Sequence, residues 1–502
     1  MTVLSPAQAR TWEEKSLREG ARMKDLMRQA VSGALRKIRP HLPAPGQALL
    51  LVGPGHNGDD AVLLAVELKE LGWKTELLLS RAPGKRVHPD PRVKAKVWKK
   101  ALVWPAKPAA FLQASGPRLV VDGLLGLGAV PPPRPPEAAI LQWIATEKRG
   151  PDLFVALDLP TGLHPAEGHA PGAVFSADLT VALGSVKTGC LRDQALPHVG
   201  RLHGVPIDFH TPPPKTQADF LLPEEAGRLV RSRPAHLHKH SAGTVHLWAG
   251  SATYPGAALL ASTGALRSGA GYVRLFTDRT IVPPIPAKLP ELLLTPQAES
   301  AAPDLSIFQN QAQALVVGPG LPPSEALGDF LARLLPVAKV PVVLDAGALD
   351  LLASHPEWLE QAKSPILLTP HGGELARLTG QKKQDRADAA RFWLSRHPRT
   401  ILVAKGPNTI VASPDHPLSH NGTGTPAQAT AGMGDLLAGL LGGLLASGYA
   451  PFDAARLAVL WHGRAAELAE TCGGPSVLAS EVAAHLPAAW RILSGKATSE
   501  VP

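Results

Sequence analysis

Thr430-Ala431-Gly432-Met433-Gly434-Asp435 places two glycines one residue apart, with a carboxylate directly behind them. An apolar run from Leu436 to Leu445 follows at once. A glycine costs about 1 kcal/mol inside a helix, so the pair suits a loop whose backbone must approach something closely. The run behind it reads as a buried helix. A glycine turn at a helix N-terminus offers free backbone N–H groups and the positive end of the helix dipole to a phosphate. Asp435 falls in the first turn, where a carboxylate is favoured as a cap. There it can also take a proton from a hydroxyl beside the phosphate. A glycine-rich turn with an Asp cap and no chemistry is the plain alternative.

Other residues join Asp435 and the Gly432 and Gly434 amides if strand ends converge: Lys405 in its glycine loop, Asn421, His371 and Glu374. Amides and a lysine hold charged oxygens, a base takes a hydroxyl proton, and little covalent chemistry falls to the protein. His371 follows Pro370, so its ring either faces a cleft or belongs to a Pro-Gly turn; Lys405 is a site lysine or a surface one. The chain has no Gly-x4-Gly-Lys-Ser/Thr loop, which excludes a P-loop enzyme. It has no His-Glu-x-x-His or paired Cys-x-x-Cys, which argues against zinc.

A second constellation lies in the first half. Gly53-Pro54-Gly55-His56-Asn57-Gly58-Asp59-Asp60 follows an apolar run directly. A glycine loop with Asn and Asp side chains can bind a diphosphate and a hard cation through oxygens. Asp122 and Asp158 each end an apolar run, and Asp158-Leu159-Pro160-Thr161-Gly162 reads as a tight turn aiming two oxygens inward. Caps for helices and turns are the structural alternative for any one of these acids.

The elements that must position these groups read as two α/β layers. Ala48–Val52 is a continuous apolar run, as a strand buried on both faces requires. Ala61–Leu71 has helical spacing, and Thr75–Leu79, Leu119–Asp122 and Leu153–Asp158 read as further strands. Later, Gly243–Trp248, Tyr272–Phe276, Ala314–Val317, Val340–Leu344, Ile366–Leu368 and Ile401–Val403 read as strands around a helix at Ala257–Ser268. Strand–helix alternation implies parallel sheets, with ligands beyond the C-terminal strand ends. Thr211 to Ala218 is Pro-rich and polar, which predicts an extended, stiff linker. The expected division is 1–210, a linker at 211–218, and 219–502, without an internal repeat.

At 502 residues the chain exceeds one ordinary core, so two domains are expected. With 51 Lys+Arg against 42 Asp+Glu it carries +9, which helps attract anions without implying nucleic acid. Arg81–Lys100 holds eight basic residues and one acid but little aromatic interleaving, so it reads as a solvated helix face rather than a nucleic-acid patch. Cys190 and Cys472, far apart, make no disulfide framework, and each is expected buried. The first 40 residues read as a charged amphipathic helix, not a secretory signal, and the apolar run Leu436–Ala450 is too short and Gly-rich for a membrane span. A reduced, cytoplasmic protein follows.

The second half resembles the ADP- or ATP-dependent NAD(P)H-hydrate dehydratases, a branch of the ribokinase-like fold. The matching segments are Lys239–Ser251, Pro255–Gly271, Val317–Leu321, Thr369–Glu374, Lys405–Gly406 and Ala429–Gly439, in the family's order across 236–490. Each is weak alone; together they are specific. The resemblance implies a ribokinase-like three-layer sandwich. It implies that Ala257, Gly320, His371 and Asp435 line the hydrated dinucleotide, and that Lys405, Gly406, Pro407, Asn408, Thr409 and Gly434 contact ADP or ATP with its Mg2+. Asp435 is then the base for a ring hydroxyl that is phosphorylated and eliminated. Thr425, Ala427 and Gln428 depart from the Asn, Gly and Met expected there.

The first half resembles the NAD(P)H-hydrate epimerase domain, a Rossmann-like three-layer sandwich, over 5–210. The resemblance rests on Leu26–Ala30, the glycine loop, Val121–Gly128, Asp158–Gly162 and Ala177–Gly189. It implies Asn57, Asp122 and Thr161 as potassium ligands, His56, Asn57, Gly58, Asp59, Asp60, Gly126, Leu127 and Gly128 as hydrate contacts, and Asp158 as the catalytic carboxylate. The family loop reads Gly-Asn-Asn-Gly-Gly-Asp-Gly, so His56, Asp59 and Ala61 depart from it. Asp59 adds a negative charge and a Cβ where positive φ is expected. A degenerate first domain beside an active dehydratase is therefore one alternative. A small-alcohol kinase is another, although it leaves the fused first half unexplained. The two resemblances imply NADHX, NADPHX and ADP or ATP as substrates. A homo-oligomer is expected because small-residue helices in such domains often pack into assemblies.

Overall fold

The computed structural model describes residues 1–502 except 43, 86, 299–300, 383, 475 and 496–502. The chain divides into two compact units, Met1–Phe220 and Leu221–Pro502.

The first unit holds a parallel sheet of β1 (Gln47–Val52), β2 (Lys74–Leu79), β3 (Leu102–Val103), β4 (Arg118–Gly123), β5 (Leu153–Leu157), β6 (Leu179–Leu183) and β7 (Arg201–Val205), in the order 3-2-1-4-5-6-7. Alternation along the strands feeds both faces. Leu50, Val52, Val121 and Val155 pack with Met27 and Val31 of α2 (Met23–Ile38) and Val62 and Leu63 of α3 (His56–Glu70). Leu49, Leu51, Val120 and Phe154 pack with Ile140, Leu141 and Ile144 of α4 (Glu137–Glu147). That is the expected three-layer sandwich.

Several local expectations change. The first 40 residues form two helices, α1 (Pro6–Arg18) and α2, because Gly20 takes φ +105° and breaks the run. The expected glycine loop is shorter than its motif. α3 starts at His56, so Asn57, Gly58, Asp59 and Asp60 stand in its opening turns. Gly58 is needed there: a Cβ would lie 2.2 Å from Gly53 O. Neither Asp59 nor Ala61 has positive φ, so the backbone strain expected of those departures does not arise. Among the described residues of Arg81–Lys100 only Ala95–Lys100 is helical, and Arg92 pairs with Asp90 and Glu67 while Arg81 pairs with Glu137. Cys190 is buried but Cys472 is exposed, because it ends its helix rather than facing the core. In the Pro-rich stretch, Thr211 O accepts from the Trp12 indole at 3.2 Å and Thr216 Oγ1 donates to Val3 O at 2.6 Å. The segment is tied down by side chains rather than free.

Among the described residues nine strands lie wholly in the second unit: β8 (Thr244–Trp248), β9 (Tyr272–Asp278), β10 (Leu293–Gln297), β11 (Ala314–Val317), β12 (Val342–Leu344), β13 (Ile366–Leu368), β14 (Thr400–Ala404), β15 (Ile410–Ser413) and β16 (His416–Asn421). Their order is 16-15-14-13-12-11-8-9-10, parallel except for the antiparallel β14–β15–β16 meander. One face packs on α5 (Pro255–Arg267), α8 (Met433–Ala446), α9 (Pro451–Cys472) and α10 (Ala479–Leu493). On the other, Trp248 meets Phe330 of α6 (Glu325–Leu334), and Phe308, outside that helix, meets Phe276 and Phe330, all edge to face. The remaining site helix is α7 (Gly372–Thr379). Among the described residues no helix is long and apolar enough to cross a membrane.

Candidate active sites

A cavity of about 590 Å³ opens at the C-terminal ends of the first sheet. His56, Asn57, Asp60, Gly126, Leu127, Gly128 and Asp158 line it, together with residues of α1 and α2. Gly58 and Asp59 do not, and Asp59 is buried. Asp122, fully buried, accepts from Thr161 N at 2.7 Å, Thr161 Oγ1 at 2.9 Å and Leu124 N at 3.1 Å. Burial pushes its carboxyl up to about 6, against the pull of those donors. Asn57 Nδ2 donates to Leu125 O at 3.0 Å and Leu157 O at 3.2 Å, while its buried Oδ1 finds no partner. An orphaned amide oxygen beside a carboxylate and a hydroxyl is a donor set that suits a monovalent hard cation.

Asp158 takes φ +67°, uncommon for a non-glycine residue, at the cavity wall. Its Oδ1 accepts from Leu183 N at 3.2 Å and from Lys187 Nζ, which also donates to Leu183 O and Ser185 O at 3.0 Å. Lys187 stood in the matched segment Ala177–Gly189 but its partner lies 29 residues away, so spacing did not reveal it. Asp60 is its contrast. Burial first, then the charges of Asp158, Asp59 and Glu13, raise its carboxyl well above the usual range. The cavity thus faces one carboxyl whose ionisation burial opposes and one that is ion-paired. Elsewhere in this unit His164, Glu167 and His169 cluster, but His164 Nδ1 already accepts from Glu167 N at 3.1 Å and His169 pairs with Glu167 at 3.3 Å.

In the second unit Asp435 is the third residue of α8, not its cap. Gly432, in left-handed backbone at φ +89°, is the N-cap, and no side chain caps that end. Lys405, at the end of β14, is no surface lysine. Its Nζ bonds Asp345 Oδ1 at 2.8 Å and lies 3.9 Å from Glu374 Oε2. Burial would lower its pKa, but Asp345 and Glu374 raise it. A Cβ on Gly434 would sit 3.1 Å from Lys405 Nζ and 3.8 Å from Asp345 Oδ2, so the pair lies against the glycine turn. Burial and then Asp345 push the Asp435 carboxyl up to about 7, opposed by Lys405. Burial likewise raises Glu374.

Other expected residues fall nearby. Gly320 and Ala257 meet: a Cβ on Gly320 would lie 2.4 Å from Ala257 Cβ. His371 is the N-cap of α7, its Nδ1 accepting from Gly373 N at 2.9 Å, so the turn reading holds for that nitrogen. Gly406 to Thr409 closes as a turn through Thr409 Oγ1, with Asn408 at φ +49° and Pro407 O bonded by Arg386. Asn421 spends its side chain on Thr423, although its N–H reaches Thr409 O at 2.9 Å. The departures Thr425 and Gln428 bond Glu470 and His462 of α9, which gives them a packing role. Asp345 was visible only as a strand-end loop residue; its partners Thr369 and Lys405 come from other strands.

Two α/β units, each gathering polar groups at the C-terminal ends of its strands, define a two-site enzyme of the α/β class. A family model described as NAD(P)H-hydrate dehydratase matches residues 245–488, and one described as YjeF-related protein N-terminus matches 23–189. The bifunctional NAD(P)H-hydrate repair enzyme of Gloeobacter violaceus is 36% identical over 93% of this chain and 93% of its own length. That of Escherichia coli K12 is 30% identical over 92% and 88%. A crystal structure of the Bacillus subtilis ADP/ATP-dependent NAD(P)H-hydrate dehydratase, grown with ATP and Mg2+, is 35% identical, covers 55% of this chain and 98% of that one, and superposes at a TM-score of 0.47. The chain belongs to the family of bifunctional NAD(P)H-hydrate repair enzymes.

Proposed function

We propose that the chain returns hydrated NADH and NADPH to their normal forms by two activities. The domain at 1–210 interconverts the R and S hydrates, and the domain at 219–502 dehydrates the S form with ADP or ATP, ADP becoming AMP; 211–218 connects them. The observation that carries this reading is Asp435, one residue beyond Gly434, with the Lys405–Asp345 pair against the same turn. Lys405 and the Gly406–Thr409 turn hold the nucleotide, whose Mg2+ arrives with it. Ala257, Gly320 and His371 border the hydrate. Asp435 takes the proton as the ring hydroxyl oxygen attacks the terminal phosphorus and the bond to the AMP oxygen breaks. Hydroxide is a poor leaving group and phosphate a good one, so elimination from the ring follows.

In the first domain Asn57 Oδ1, Asp122 and Thr161 would hold potassium, which supplies positive charge for the hydrate's diphosphate. Asp158, oriented by Lys187, handles the proton at the epimerising centre. Asp59 does not line the cavity, which supports an active first domain, although its charge still reaches Asp60. We also place the protein in the cytoplasm, where a thiol as exposed as Cys472 stays reduced, and as a homo-oligomer, which light scattering would test. The test of function is recovery of NADH absorbance from a mixed R/S hydrate, with ADP and then ATP, in potassium and in choline buffer. Full recovery faster than spontaneous epimerisation, slowed by choline, is expected. Recovery of the S fraction alone would remove the epimerase. No recovery with either nucleotide would remove both activities.

A further inference from the structure

Asp345 ends β12 almost fully buried, and its Oδ1 accepts from Thr369 Oγ1 and Lys405 Nζ, both at 2.8 Å. The next residue, Ala346, takes φ +47° and ψ −122°, a strained setting for a residue with a Cβ. The turn is fixed from behind, where a Cβ on Gly347 would come within 2.1 Å of Leu321 O. The strain therefore falls on the residue that aims Asp345. One ammonium here faces three carboxylates: Asp345 by hydrogen bond, Glu374 at 3.9 Å, and Asp435 from the first turn of α8.

We infer that Asp345 is a positioning residue of the dehydratase site: it holds the Lys405 ammonium at the Gly432–Gly434 turn and keeps that charge from being spent on Asp435. The inference rests on the dehydratase reading. A free lysine beside Asp435 would make it a strong acid and a weak base. With Lys405 engaged, and with the Asp345 charge itself opposing ionisation, Asp435 titrates at about 7 after burial has done the larger part. The other titratable groups facing the site are His462, Glu374 and His371. His462 of α9 is kept neutral, its pKa lowered to about 4 by burial and then by Lys405. Glu374 is tied to Lys405 and the His371 N–H, and His371 itself is exposed and caps α7.

The test is the pH dependence of kcat for S-hydrate dehydration at saturating nucleotide, in the full chain. Asp345→Asn keeps size and acceptor but removes the charge. It should move the acid limb down by at least about one pH unit and lower the plateau about tenfold, because the base is weaker. Lys405→Met should move the limb in the opposite sense, upward. Thr369→Val, which loosens Asp345 without touching a charge, should raise KM for the nucleotide and leave the limb in place. A limb that stays fixed in both charge variants while kcat falls would make Asp345 a purely structural residue and overturn the inference. If Asp345→Asn does not fold, an unmoved limb in Lys405→Met overturns it alone. An inactive wild type, by contrast, would fail the dehydratase reading itself and the inference with it.

Discussion

Asp435 accepts no capping hydrogen bond in α8, and that decides its chemistry. A carboxylate that accepts backbone N–H bonds becomes a weaker base; one that is half-buried without them stays basic enough to work near neutrality. With a pKa of about 7, it is ionised above that value and protonated below it. Dehydration should therefore rise with pH through about 7 and then level. Asp435→Asn should lower kcat by roughly 10²–10⁴-fold while thermal unfolding stays unchanged; retained turnover would remove the assigned base. Asp158 works differently. Its Lys187 partner is buried, so Lys187→Met leaves a carboxylate uncompensated in the cavity wall. Epimerisation should fall at least tenfold in that variant, with about 3 kcal/mol lost in urea unfolding. The sequence exposed Asp435 and Asp158 because glycines and strand ends frame them. It hid Asp345 and Lys187, whose meaning lies in partners 60 and 29 residues away.

At the scale of elements, the glycines behind Asp435 act through packing. A Cβ on Gly439 would lie 1.8 Å from Ala261 O, and one on Gly264 would lie 2.3 Å from Leu436 O. α5 and α8 therefore pack backbone to backbone, and this contact sets where the glycine turn and Asp435 stand. The apolar run made α8 legible as a buried helix, but nothing local says which neighbour its glycines face. Gly439→Ala should force the two helices apart. Overpacking of this kind costs about 1–3 kcal/mol. The expected result is a lower urea midpoint by circular dichroism and a raised KM for the hydrate, since Ala257 moves with α5. An unchanged midpoint would mean the helices yield freely. The same limit explains the mistaken loop at His56–Asp60. Helix spacing begins visibly at Ala61, yet the glycine motif itself supplies the first turn, and only the contact between Gly58 and Gly53 fixes that.

At the scale of the molecule, strands such as β1, β11 and β13 were legible because they hold unbroken apolar runs, whereas β3, β6, β7 and β10 were not legible as strands. The antiparallel β15–β16 pair was not legible either: β16 mixes histidine, serine and apolar residues. Each proposed site draws its named residues from one unit, the first from positions up to 209 and the second from Ala257 onward. With the named residues of each site in one unit, the two activities should be separable by single substitutions. Asp158→Ala alone should recover only the S fraction beyond spontaneous epimerisation, and Asp435→Ala alone should recover nothing. Mixed together, the two variants should restore recovery of the whole R/S mixture, because the hydrate released by one unit is a free substrate for the other. Recovery confined to the S fraction in that mixture, with each variant folded, would mean that the hydrate does not pass through solvent or that the first site is incomplete without an intact second one.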